Sequence, residues 1–221
     1  MGLLDRLAPR RTDADGSASP SVSAEAPVFA TKALRKFLTC LTARESPILL
    51  DLGPVVGSNV NFFGEQLGCK IFVEDIFADL DRHLRSGKLE DLPAFLKKRF
   101  AQESGSVDGI LCWDLIDFMD KPAALELAYQ LTRLLRPDGV LLAFFGNTPS
   151  REIRYTKYII VDEVNLKHRT YEAARGRQAI LLNRDISRLF SGLRVSDSFL
   201  LKNNLREMLF RKPAYLPTEP Q

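Results

Sequence analysis

A chain of 221 residues, 45% of them hydrophobic, suits one full domain with appendages better than two complete domains. The three cysteines (Cys40, Cys69, Cys112) are widely spaced and the only histidines are His83 and His168, so neither a disulfide framework nor a zinc site is legible. No apolar run approaches the ~20 residues that span a bilayer and no leader pattern opens the chain, so the expectation is a cytoplasmic protein without a transmembrane segment or a metal.

Residues 1–28 read as a disordered tail, because 8–28 are rich in Pro, Ser, Ala and Asp and offer little apolar surface against the entropy of ordering. Ahead of them Leu3, Leu4 and Leu7 form either a weak partner or membrane-surface contact, or a frayed end. Phe29, Ala33, Leu34, Phe37, Leu38 and Leu41 recur at helical spacing and predict a covering helix. The short apolar run from Ile48 to Leu52 then reads as a strand buried on both faces. Alternation follows: a helix over 58–67, a strand over 70–74, helical material over 77–85 and 92–101, a strand over 107–113, a helix over 122–135 and a strand over 140–145. Residues 146–180 form a long connection in which Tyr158 to Asp162 looks like an extra strand. A short helix over 184–190 and strands over 193–201 and 205–211 close the domain as an antiparallel hairpin. Residues 214–221 read as a flexible tail. Such alternation predicts an α/β fold, a largely parallel sheet between two layers of helices.

Chemistry concentrates at the first of these strands, which runs Asp51-Leu52-Gly53-Pro54-Val55-Val56-Gly57. A glycine directly after a strand lets the backbone approach a ligand, and one at the start of a helix allows tight helix–strand packing with free N–H groups exposed. The next strand ends in Glu74-Asp75, where a carboxylate can accept both hydroxyl protons of a ribose.

These residues resemble the class I S-adenosylmethionine-dependent methyltransferases. Asp51, Gly53 and Gly57 match the acid-x-Gly-x-Gly-x-Gly turn of that family, with Val55 in place of the middle glycine, and Glu74 falls on the ribose acid with Asp75 beside it. The segments 105–114 and 131–142 resemble the family's fourth strand, the helix after it and its fifth strand. The resemblance spans Phe29 to Pro213 and implies a Rossmann-like three-layer sandwich with a seven-stranded sheet, the cofactor S-adenosylmethionine, and residues 146–180 as an acceptor-side insertion. The third strand, whose end supplies an acid for the adenine amino group, has no clear counterpart. Asp91 is the candidate for that acid, or else a helix cap before Leu92.

Other residues divide between two readings. Trp113 packs either the cofactor's base or the core. Asp114, at a strand exit, contacts the cofactor, orients the acceptor or acts as base, or else caps Leu115–Phe118. His168 is either a general base or a surface histidine, and Cys112 is a core thiol. Residues 151–212 carry 14 Lys/Arg against 7 Asp/Glu, which favours an anionic acceptor or is simply a solvated face. Nucleic acid is disfavoured, since no Lys/Arg stripe with stacking aromatics is present. The expected function is methyl transfer to an unidentified acceptor. The alternatives are a noncatalytic scaffold that keeps the fold, or a nicotinamide dehydrogenase, which lacks its Tyr-x-x-x-Lys pair here. The oligomeric state is not readable.

Overall fold

The computed structural model describes residues 26–150, 152–178 and 180–214. Of the expected tails 1–28 and 214–221, residues 1–25 and 215–221 lie outside the described residues, whereas Val28, expected in the first tail, opens the first strand.

In chain order the elements are β1 (Val28–Ala30), α1 (Ala33–Thr42), β2 (Ile48–Asp51), α2 (Gly57–Asn61) continuing into a π-helical turn (Phe62–Gln66), β3 (Lys70–Val73), α3 (Ile76–Arg85), a 3₁₀ turn (Leu89–Asp91), α4 (Leu92–Arg99), β4 (Val107–Trp113), a second 3₁₀ turn (Leu115–Phe118), α5 (Lys121–Leu134), β5 (Leu135–Gly146), β6 (Arg154–Asp162), β7 (Asn165–Glu172), α6 (Asn183–Leu189), β8 (Arg194–Leu200) and β9 (Leu205–Arg211). The main sheet has the order β3-β2-β4-β5-β9-β8. β3, β2, β4 and β5 are parallel, and β9 is antiparallel between β5 and β8. β4 is buried at every position, including its one charged residue, Asp108.

The sheet holds six strands rather than the expected seven, and β3 is its edge. Between α3 and β4 the chain forms the 3₁₀ turn and α4 instead of a strand. The sequence accounts for this: Pro93 sits in the first helical turn, and Leu92 and Leu96, one turn apart, are both buried.

The N-terminal helix is also shorter than its periodicity implied. Phe29 lies in β1, opposite Leu166 of β7, and the helix begins only at Ala33. The buried carboxylate of Glu207, from β9, accepts the amides of Lys32 (2.8 Å) and Ala33 (2.9 Å), so the start of α1 is fixed by a residue remote in sequence.

The connection 146–180 contains the anticipated extra strand and more: β6 and β7 form a hairpin that β1 extends to a three-stranded antiparallel sheet. Two apolar clusters flank the main sheet. One gathers α3, α4, α5 and α6; the other gathers α1, Phe63 of the π-helical turn and the inner face of the β6–β7 hairpin. The hairpin is therefore part of the core on that face.

Candidate functional site

The C-terminal ends of β2, β4 and β5 converge, as strand ends do where open α/β sheets bind ligands. Asp51 closes β2, and its Oδ1 accepts the Gly53 amide (2.9 Å) and the Trp113 indole Nε1 (2.7 Å). Burial pushes the Asp51 carboxyl up to about 6, against the pull of those two donors. Trp113 has φ +52°, an unfavourable conformation for a bulky residue, and the Nε1–Cδ1 edge of its ring faces the turn. A Cβ on Gly53 would stand 2.9 Å from the indole Cδ1 and Nε1, so only glycine permits this packing. Gly57 opens α2, but a Cβ there would meet nothing within 4 Å, so the close helix–strand approach expected of it is absent. Val55, in the middle-glycine position, is exposed.

Trp113 is covered in turn by the hairpin. Tyr158 of β6 stacks on the indole at 5.0 Å and 10°. Phe144 meets both rings edge-on, and His168 lies edge-on to Tyr158 and packs on Phe29. His168 is thus placed as an aromatic member of the stack, and burial lowers its pKa to about 4. Asn59 of α2 pins the hairpin, its Nδ2 donating to the Tyr158 carbonyl (2.8 Å) and its Oδ1 accepting the Ile160 amide (2.9 Å).

At the end of β3, Glu74 is paired with Arg99 and accepts from Gln102 Nε2 (2.9 Å). Asp75 caps α3 by accepting the Ala78 amide (3.1 Å), and burial raises its carboxyl. It borders an open groove of ≈ 710 Å³ with Tyr155 and Tyr171. Asp91 lies exposed in the 3₁₀ turn before α4 and makes no side-chain cap; no strand end brings it toward Asp51.

Beyond Trp113 the chain enters a buried ionic cluster that the sequence did not foretell as a whole. Asp114 pairs with Arg177 at 2.7 Å, and the same guanidinium stands 3.6 Å from Asp117. Asp117 Oδ2 accepts the Gly146 amide at 2.6 Å, and a Cβ on Gly146 would collide with the Arg177 guanidinium. Burial raises the Asp114 carboxyl despite Arg177, and it raises Asp117 to about 7. The Tyr158 hydroxyl faces Asp114 without closing a well-formed hydrogen bond. Asp114 is thus committed to Arg177 and does not cap the 3₁₀ turn. Cys112 is a core thiol, its pKa raised by burial and by Asp114. Tyr158 was visible only as the start of an extra strand, and Arg177 only as one of the basic residues of the stretch 151–212. Asp117 carried a faint signal, three residues after Asp114 just past a buried strand.

These residues fit S-adenosylmethionine only in part. The acid, the glycine turn and a carboxylate at the end of β3 stand in the right order, and Glu74 keeps acceptor positions beyond Arg99 and Gln102, but the space against Gly53 holds the Trp113 ring. A ligand reaches the Gly53 backbone only when the indole leaves Asp51.

The sheet order and the inserted antiparallel β9 define the Rossmann-like fold of the class I methyltransferases. Among solved structures, the [4+2]-cyclase SpnF shares it with TM-score 0.50 at 12% identity, over 82% of this chain and 80% of that one. The Burkholderia thailandensis 1,6-didemethyltoxoflavin-N1-methyltransferase, solved with 1,6-didemethyltoxoflavin and S-adenosylhomocysteine, gives 0.49 at 16% identity over 82% and 78%. A SAM-dependent methyltransferase from Aquifex aeolicus gives 0.44 at 13% identity over 81% and 89%. No family model and no curated protein matches the chain. No helix among the described residues is long and apolar enough to cross a membrane.

Proposed function

We propose that the protein binds S-adenosylmethionine at the β2 turn and the end of β3 and transfers its methyl group to an acceptor held beside the β6–β7 hairpin, in the groove that Asp75 shares with Tyr155 and Tyr171. The observation that carries this reading is the buried Asp51 beside Gly53, with Glu74 one strand away at the same edge of the sheet. S-adenosylmethionine supplies an electrophilic methyl group, and its displacement asks of the protein mainly alignment and the exclusion of water. The hairpin provides a cover against water, and Asn59 fixes it to the helix that follows the glycine turn. Asp114 and Arg177 act as positioning residues, holding residues 173–178 over the strand ends.

A second reading has its own observation. The Trp113–Tyr158 stack fills the turn from within, as expected of a chain that keeps the fold as a scaffold. Calorimetric titration of the purified protein with S-adenosylmethionine and with S-adenosylhomocysteine separates the two. Saturable binding of either at micromolar concentrations supports the transferase reading, whereas failure of both, in the parent and in a variant without the indole, establishes the scaffold.

A further inference from the structure

A cavity of ≈ 600 Å³ lies away from the β2 turn, between the 3₁₀ turn Leu115–Phe118, the first turn of α5, and α6. Its size is that of a small-molecule site. Ile116, Met119, Ala124, Leu125, Leu181 and Leu189 make the apolar wall. Its charged groups are unevenly committed. Asp120 spends its carboxylate capping α5 at the Ala123 amide (3.2 Å), and Asp185 stands 3.8 Å from Arg184. Arg175 gives Nη2 to Gln178, but its Nη1 is buried without a partner, and Lys121 and Arg188 form no ion pair among the described residues. Asp117, almost wholly buried, lines the same cavity with its Oδ1 also unpartnered. A buried donor without an acceptor carries a desolvation cost that a ligand's acceptor removes.

We propose that this cavity binds a small amphipathic carboxylic acid, its carboxylate on Arg175 Nη1 and its hydrocarbon body against Leu125, Leu181 and Leu189. The unpaired cations set the sign of the head group, and the apolar wall sets the character of the rest. Asp117 does not oppose such a ligand. Burial raises its carboxyl to about 7, with Arg177, Asp114 and Arg206 as the charges that face it, so near neutrality about half of the molecules carry it neutral and able to donate, and below pH 7 most do. The site needs no cofactor and goes beyond the transferase reading; its test is run without S-adenosylmethionine, so either can fail alone.

The probe is octanoate, with octanol as its uncharged match, titrated calorimetrically into the full chain. Octanoate binds saturably at one site and octanol about tenfold or more weaker. Arg175→Gln, at a partly exposed position, weakens octanoate about tenfold and leaves octanol unchanged. Leu125→Asp, on an exposed part of the wall, abolishes octanoate binding by setting like charge beside its path. Melting curves beside the parent confirm that both variants fold. The proposal is overturned by octanoate binding that does not saturate, that is matched by octanol, or that survives both substitutions.

Discussion

Asp51 Oδ1 holds the indole of Trp113 at 2.7 Å, so the carboxylate that begins the glycine turn is also the anchor that keeps an aromatic ring on it. The arrangement stores opposing terms. A bulky residue at φ +52° costs about 1–3 kcal/mol, while the buried ring, its stack on Tyr158 and its hydrogen bond more than offset that cost.

Trp113→Gly removes both the ring and the backbone strain. Loss of the buried ring costs about 3–5 kcal/mol and relief of strain returns part of it, so the variant is destabilised by roughly 2–4 kcal/mol yet folds. Its affinity for S-adenosylmethionine rises about tenfold or more over the parent, because no hydrogen bond or stack has to break first. Trp113→Phe, which keeps a ring on the turn, does not gain as much. Calorimetric titration of the three proteins checks this, and equal affinity in parent and Trp113→Gly would show that the indole does not obstruct the site.

Asn59→Ala leaves the Tyr158 carbonyl and the Ile160 amide without their side-chain partner in a buried setting. Each orphaned group costs about 1–3 kcal/mol, partly recovered if water enters. The expected outcome is a loss of roughly 2–4 kcal/mol together with faster amide hydrogen exchange in β6, while β4 and β5 keep their protection. Unchanged exchange at Ile160 would show that the hairpin holds its place without Asn59.

The sequence made β2, β3, β4, β5 and the terminal hairpin legible because each is a short apolar run closed by a glycine, an acid or a turn. Asp51, Gly53 and Glu74 could be named from the same pattern. What stayed hidden depends on contacts remote in sequence. The start of α1 is set by Glu207, and the Trp113–Tyr158 stack joins residues separated by three further elements. Arg177 finds Asp114 across a connection with no periodicity of its own. Asp91 was a candidate without a strand to carry it, and it stands in the 3₁₀ turn before α4, where the helical material expected from residue 92 begins.

The pH dependence of stability follows from Asp117. Its folded pKa of about 7 lies above the unfolded carboxyl value of about 3.9, so between these values the folded state holds more protons than the unfolded state. Stability from this group is therefore greatest at low pH and falls as pH rises toward 7, by on the order of 2–4 kcal/mol. Asp51 acts in the same direction up to about 6, and His168, lowered to about 4, acts in the opposite one below about 6.5. Asp117→Asn removes only the first contribution and keeps an acceptor for the Gly146 amide. Its stability relative to the parent should therefore improve from pH 5 to pH 8 in chemical denaturation; parallel profiles would show that Asp117 ionises normally in the folded protein.

The ribose assignment rests on Glu74, and the structure makes its test more specific. Gln102 and Arg99 occupy part of the carboxylate, which offers about four acceptor positions, so lone pairs remain for ribose hydroxyls without breaking either contact. Glu74→Gln keeps the volume but replaces a charged acceptor with an amide that has one acceptor oxygen. Arg99 retains Asp79 at 2.7 Å, so the stability cost stays near 1 kcal/mol. Affinity for S-adenosylmethionine should fall by roughly 1.5–3 kcal/mol, or about ten- to a hundredfold, if two charge-assisted hydrogen bonds are weakened. Asp75→Asn is the companion variant, because Asn caps a helix about as well as Asp and leaves α3 intact while altering the neighbouring acid. Titrations should be run in the Trp113→Gly background as well as the parent, so that a closed turn does not mask the effect. A Glu74→Gln protein that binds as its parent does in both backgrounds, with Asp75→Asn also silent, removes the ribose role from this strand end and leaves the fold without its cofactor contact there.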